Sequence, residues 1–284
     1  MVRISCHSRN YGPDTPQRTL WLIKKLGFDF VTLDASTVPP QWALENVQNA
    51  AEKCRRLLSD NELAPVEYVL SDLSDGQHTV SATSYDPSRI EPVLSYFRTV
   101  CAFAGKAGFQ SVMLVAGDEQ PALGYESSFD KAAQLFSMLA AAAQENGVQL
   151  CVEPGQRSIL NSPDQALRMI QAVPGLCYTL DPLQWQVRGY DTQQALRLLP
   201  YTHHLHARQA ATGWNKCPLE YGEIDYDLIL KRMRGARWDG VITMEFWLTE
   251  PERYGNMSPI DQTIVLRYQI KQLIRKYWAD TVMR

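Results

Sequence analysis

Eight times along the chain a short apolar run is followed by a segment of helical periodicity, and this alternation limits the possible folds more than any other feature. The runs are Ile4–Cys6, Phe28–Leu33, Val66–Leu70, Ser111–Val115, Leu150–Glu153, Cys177–Asp181, His204–His206 and Val241–Glu245. Helix starts stand between them at Thr15-Pro16, Asp86-Pro87, Ser162-Pro163-Asp164, Asp191 and Asp225, each a side-chain cap before a periodic segment. Helical spacing is expected from Ala43 to Leu58, along Ile90, Leu94, Phe97 and Cys101, from Ala132 to Ala143, and from about Ile260 to Tyr277. The connections leave no room for a second core. The pattern predicts the α/β class, a (β/α)8 barrel, with residues 1–284 as a single domain. The longer segments, Ser71–Tyr85, Ala210–Gly222 and Leu248–Pro259, follow strands three, seven and eight, where such a barrel carries its specificity.

Four side chains that can bind a metal stand at or near the ends of the last four runs: Glu153, Asp181, a histidine of the seventh run, and Glu245. Counted through His206 they are 28, 25 and 39 residues apart, each about one βα unit of roughly 30 residues. They should therefore converge at one mouth of the barrel. Strand alternation sends His204 and His206 to the same side, so position alone does not choose between them. Three carboxylates and one imidazole suit a hard or borderline divalent ion with positions left open for two substrate oxygens.

Composition sets the surroundings of that site. The chain is 45% apolar, and its net charge of −3 comes without runs of like charge, so there is no electrostatic footprint for nucleic acid or an anionic membrane. Small soluble ligands are expected instead. Six cysteines contain no C-x-x-C pair and mostly lie in apolar periodic runs, where reduced cysteine acts as a small hydrophobe. The first residues soon reach the polar His7-Ser8-Arg9-Asn10, too short and polar a start for a signal peptide, and no membrane-length apolar stretch follows. A cytoplasmic location is expected.

Val152-Glu153-Pro154-Gly155, Leu180-Asp181-Pro182, His204-Leu205-His206, Gly222-Glu223-Ile224-Asp225 and Trp238-Asp239-Gly240 leading to Met244-Glu245 come in a telling order and spacing. Over its whole length the chain resembles the xylose-isomerase-like TIM-barrel superfamily, which includes sugar-phosphate isomerases, ketose 3-epimerases, dehydratases and endonuclease IV. The resemblance implies a metal-dependent isomerase or epimerase of a sugar or related keto-polyol, and it selects His206 over His204. It implies one divalent ion, Mn²⁺ ahead of Mg²⁺, Co²⁺ or Zn²⁺, on Glu153, Asp181, His206 and Glu245. Glu153 and Glu245 would also move the substrate proton. His204 is expected to pack one layer deeper with its hydrogen bonding satisfied.

Departures from the family pattern bear on the substrate. Gln184 stands where many relatives have histidine, and Arg208 where many have lysine-aspartate. Gln184 would bind a hydroxyl; Arg208 would bind a substrate oxygen, carboxylate or phosphate, or else form a structural salt bridge. His7 is a further substrate-contact candidate, with a core or capping role as the alternative. Trp185, Trp214 and Trp247 offer aromatic faces to a sugar, Trp247 foremost, although lining the barrel rim is the commoner role for any one of them. A lyase on the same site is the alternative reading, either a dehydratase or an enzyme cleaving 3-oxo-glycosides. An endonuclease-IV-like activity is less favoured, because Leu70-Ser71 and Ala116-Gly117 stand where that family uses histidine. The implied partner is a carbohydrate or cyclitol, and the superfamily makes a homo-oligomer an open expectation.

Overall fold

Side chains alternate between the two faces of a strand, and here the two sets differ in chemistry. Val31, Leu33, Tyr68, Leu150, Val152, Leu205 and Ile242 face away from the barrel axis and join one continuous apolar cluster with helix residues such as Leu20, Phe97, Phe103, Leu135 and Phe136. Burying each such side chain contributes about 1.5–3 kcal/mol, which makes this layer the main source of stability. Ser5, Thr32, Glu67, Ser111, Thr179, His204, His206 and Thr243 form the opposite set and are equally buried.

In the computed structural model, which describes residues 2–12, 14–246 and 258–282, eight parallel strands close into a barrel. They are β1 (Arg3–His7), β2 (Phe30–Asp34), β3 (Ala64–Ser71), β4 (Ser111–Val115), β5 (Gln149–Glu153), β6 (Cys177–Leu180), β7 (Thr202–Ala207) and β8 (Val241–Met244). Closure is between β1 and β8, with Ile4 opposite Ile242 and Cys6 opposite Met244. The expected (β/α)8 architecture is therefore present. The hydroxyls inside the barrel pair with one another, as burial of polar groups favours. Ser5 Oγ lies 2.9 Å from Thr32 Oγ1 and 2.7 Å from Thr243 Oγ1, and these two hydroxyls are 2.8 Å apart.

The capping residues behave as their chemistry requires. Thr15 accepts from Arg18 N ahead of the helix Pro16–Lys25, and Ser162 and Asp225 do the same for Pro163–Ala172 and Tyr226–Gly235. Asp191 and Gln194 close a capping box. Gly108, at φ +96°, ends the helix Ile90–Ala107 in the left-handed conformation and turns the chain toward β4.

Several boundaries differ from the sequence expectation. The segment Ala43–Leu58 is two helices, Gln41–Glu45 and Val47–Asp60. Asn46 between them is extended, and its side chain caps the second helix by accepting from Asn49 N at 2.9 Å; a good N-cap residue starts a new helix there rather than continuing the old one. The helix expected from Ala132 begins at Gly124. After Asp191 only Thr192–Ala195 is α-helical, and the chain continues as a 3-10 helix over Leu196–Tyr201 that includes Pro200. Leu73–Ser74 and Thr79–Val80 form a small hairpin in the loop after β3. The last helix, Pro259–Val282, contains a non-helical residue at Trp278. Among the described residues no helix is long and apolar enough to cross a membrane.

Candidate active site

Glu153 is the last residue of β5, Asp181 directly follows β6, His206 is the next-to-last residue of β7, and Glu245 directly follows β8. Parallel strands put all four at the C-terminal mouth. Pairing holds the backbone there: Ala116 N donates to Glu153 O at 3.1 Å, and Glu245 N donates to Ala207 O at 3.1 Å. Asn10, fully buried after β1, brackets Glu245 from both sides, its Nδ2 donating to Met244 O at 2.9 Å and its Oδ1 accepting from Phe246 N at 2.8 Å.

Three of the four expected ligands come together. One ligand atom each from Glu153, His206 and Glu245 lie within 4.8 Å of one another. His206 Nδ1 is 3.0 Å from Glu245 Oε2 and 4.0 Å from Glu153 Oε2. The opposite ring nitrogen, Nε2, is 3.3 Å from Glu67 Oε2. A carboxylate behind the ring favours a proton on Nε2 and turns Nδ1 toward the two glutamates, an arrangement in which Nδ1 could serve as a metal ligand. The donor set of two carboxylate oxygens and one imidazole thus fits a divalent ion.

Asp181 is engaged differently. Arg208 Nε and Nη2 donate to Asp181 Oδ2 at 2.9 and 2.5 Å, and Asp181 Oδ1 accepts from Leu183 N at 3.0 Å. Arg208 also approaches the two glutamates, with Nη1 3.2 Å from Glu245 Oε1 and Nη2 3.9 Å from Glu153 Oε1. Each glutamate therefore turns Oε2 toward His206 and Oε1 toward Arg208.

Crowding of charge in a buried site shifts every group in it. Burial and the neighbouring Glu245 push Glu153 up to about 7, although His206 and Arg208 pull it down. Burial alone would raise Glu245, but Arg208 and His206 hold it well below the usual carboxylate range. Burial would lower His206, yet Glu245, Glu67 and Glu153 together raise it well above its ordinary value. Against its own burial, Glu67 is held down at about 2 by His204, His206 and the Thr179 hydroxyl, whose Oγ1 donates to Glu67 Oε1 at 2.5 Å.

The other sequence candidates are spread around this centre. Gln184, half-buried, donates Nε2 to Glu153 Oε1 at 3.1 Å and accepts from Gln156 N at 3.4 Å, tying Glu153 to the loop after β5. His7 is buried; its Nδ1 accepts from Arg9 N at 3.2 Å and caps a 3-10 turn, and its ring meets the His206 ring edge-on at 5.7 Å. Trp185 is fully buried, with Nε1 donating to Leu160 O at 3.0 Å, so it presents no face to a ligand. Trp214 is 43% exposed and stacks on Tyr221. Trp247 lies outside the described residues. His204 sits deeper as expected, with Nε2 2.8 Å from Ser111 Oγ, but its Nδ1 has no hydrogen-bond partner.

Glu67 and Asn10 were not anticipated. Glu67 does carry a signal, being a carboxylate inside the apolar run Val66–Leu70, where a strand buried on both faces has no use for an unpaired charge. Nothing about Asn10 in the sequence marks its role. Beside Glu153 opens a cavity of about 560 Å³, lined in part by Val115, Asp118, Arg157, Gln184 and Asn215. Its walls are formed by the loops after β4 to β7. It offers mainly hydrogen-bonding groups and is large enough for a small polar ligand.

Comparison with known proteins places this geometry in context. The family model described as xylose isomerase-like TIM barrel matches residues 20–262. No curated protein sequence matches the chain. Among solved structures, D-psicose 3-epimerase from Clostridium cellulolyticum H10 is similar at a TM-score of 0.78 and 13% identity, over 96% of this chain and 99% of that one. An L-ribulose 3-epimerase is similar at 0.77 and 16%, over 100% of this chain and 98% of that one. The 3-keto-D-glucoside 4-epimerase YcjR from E. coli is similar at 0.73 and 14%, over 96% and 100%. At such identities the likeness is one of fold.

Proposed function

The chain belongs to the xylose isomerase-like TIM barrel family, and from that premise we propose that it is a divalent-metal-dependent isomerase or epimerase of a small carbohydrate or keto-cyclitol. The observation that carries the reading is the convergence of Glu153, His206 and Glu245 at the barrel mouth, beside a polar cavity. The epimerase names of the similar structures point the same way. The same reading takes residues 1–284 as one domain working in the cytoplasm on a soluble substrate.

Glu153, His206 and Glu245 would hold the ion, with Asp181 beside them. When bound, an ion there supplies Lewis acidity to a substrate carbonyl and so acidifies the neighbouring C–H. Movement of the proton falls to the protein. Glu153 and Glu245 come from β5 and β8 and reach the same imidazole edge from different parts of the mouth. One carboxylate takes the proton from the substrate carbon and the other returns it, from the opposite face in an epimerase. Gln184 aims Glu153, and Glu67 aims His206.

Elemental analysis of the purified protein, followed by a screen of ketoses and keto-cyclitols before and after chelator treatment, tests the reading. It predicts about one bound divalent ion per chain and turnover that disappears with the ion and returns on its restoration. Full turnover by chelator-stripped protein would refute it.

A further inference from the structure

We infer that Asp181 holds Arg208 rather than the metal ion, so that the centre carries two cations side by side. On this inference the ion sits on Glu153, His206 and Glu245, and the guanidinium sits on the other edge of the same two glutamates, fastened by Asp181. The inference rests on the metal-dependent reading above and sharpens it to a particular ligand set.

The geometry divides the site into two halves. Oε2 of each glutamate faces His206 Nδ1, at 4.0 Å from Glu153 and 3.0 Å from Glu245. Oε1 of each faces Arg208, at 3.9 and 3.2 Å. Asp181 belongs entirely to the second half: Oδ2 takes two hydrogen bonds from Arg208, and Oδ1 takes one from Leu183 N. For Asp181 to ligate the ion it would have to break a buried ion pair and leave the guanidinium without its shortest contact, which is strongly unfavourable in a site this dry.

Charge leaves room for both cations. Glu67, Glu153, Asp181 and Glu245 bring four carboxylates to a buried site and Arg208 returns one positive charge, so a divalent ion can be added beside the guanidinium without making the site cationic. Arg208 is thereby committed to the protein's own carboxylates, and its role is to position them.

The test is Co²⁺ binding to chelator-treated protein, measured by competition with a metal-sensitive dye and by the visible spectrum of the bound ion, whose intensity reports coordination number. His206→Ala removes a ligand and should weaken binding by about a hundredfold or more. Asp181→Asn should weaken it by no more than about tenfold, as loss of an outer partner does, with an unchanged spectrum. Arg208→Gln removes a like charge next to the ion and should tighten binding by about tenfold or more. Loss of Co²⁺ in Asp181→Asn equal to that in His206→Ala, or no change in Arg208→Gln, overturns the inference. Should Asp181→Asn fail to fold, a crystal of the wild-type protein with Mn²⁺ decides: an Asp181 oxygen within about 2.2 Å of the ion overturns the inference, and Asp181 still bonded to Arg208 supports it. Wild-type protein that binds through Asp181 leaves the metal-dependent reading intact, whereas wild-type protein that binds no ion refutes both.

Discussion

Glu67 Oε2 stands 3.3 Å behind His206 Nε2, and the ring's other nitrogen, Nδ1, faces Glu245 and Glu153 at the barrel mouth. The carboxylate rises from the middle of β3, and the imidazole lies near the end of β7. Because Thr179 and Ser111 also donate to Glu67, at 2.5 and 3.4 Å, the charge is fixed from below before it meets His206.

Glu67→Gln should therefore weaken divalent-ion binding by about 10- to 100-fold, the usual cost of losing the partner of a metal-bound histidine. An amide can present either its oxygen or its NH₂ to the ring, so the tautomer is no longer imposed. Dye competition on the purified variant reads the loss, and unchanged affinity would mean that His206 is oriented by other contacts.

Replacing either glutamate tests proton transfer. Glu153→Gln and Glu245→Gln should each lower kcat by roughly 10²- to 10⁴-fold on the true substrate, as expected when an acid–base group is removed but its oxygen is kept. Steady-state kinetics with the ion restored to saturation separates this loss from weaker metal binding. Near wild-type rates in both variants would assign the proton to other residues.

These assignments were legible in the sequence to different depths. Strand ends at Glu153, Asp181, His206 and Glu245 follow from apolar runs and a repeat of about one βα unit, because a barrel turns sequence spacing into position around the mouth. Alternation along β7 put His204, His206 and Arg208 on one side, and that is where they are. Alternation does not say what a long side chain reaches. Arg208 extends to three carboxylates at the ends of other strands, and Asp181 is thereby tied to an arginine for which the sequence had left a ligand contact and a structural salt bridge equally open. Trp185 looked like a rim aromatic, yet the short helix Leu183–Gln186 turns it into the core. Asn46 broke an expected helix because capping is a local contest that periodicity does not register.

Stability without metal should depend on pH in a definite sense. Glu153 is raised from 4.5 to about 7 in the folded protein, so its contribution is fully present below pH 4.5 and is lost as the pH rises through about 7. His206, also raised, acts in the same direction. The melting temperature of chelator-stripped protein should thus fall between pH 5 and 8 by more than that of Glu153→Gln, which has no such proton to lose. Parallel curves for the two proteins would show that Glu153 is not crowded by charge.

Asn10→Ala should destabilise the protein by about 1–3 kcal/mol, since it removes two buried hydrogen bonds to the backbone, at Met244 O and Phe246 N. Urea denaturation measures the loss. Because both groups flank Glu245, kcat should fall as well; a variant with wild-type kcat would show that Glu245 is placed without this bracket.

Solvent deuterium exchange is the most direct test of metal-dependent proton abstraction. Chelator-stripped and Mn²⁺-restored protein are incubated with ketoses and keto-cyclitols in D₂O and followed by proton NMR. The expected result is loss of one proton signal, at the carbon next to the carbonyl, in the Mn²⁺-restored sample alone. Turnover without deuterium in substrate or product, or equal exchange with and without the ion, would contradict it.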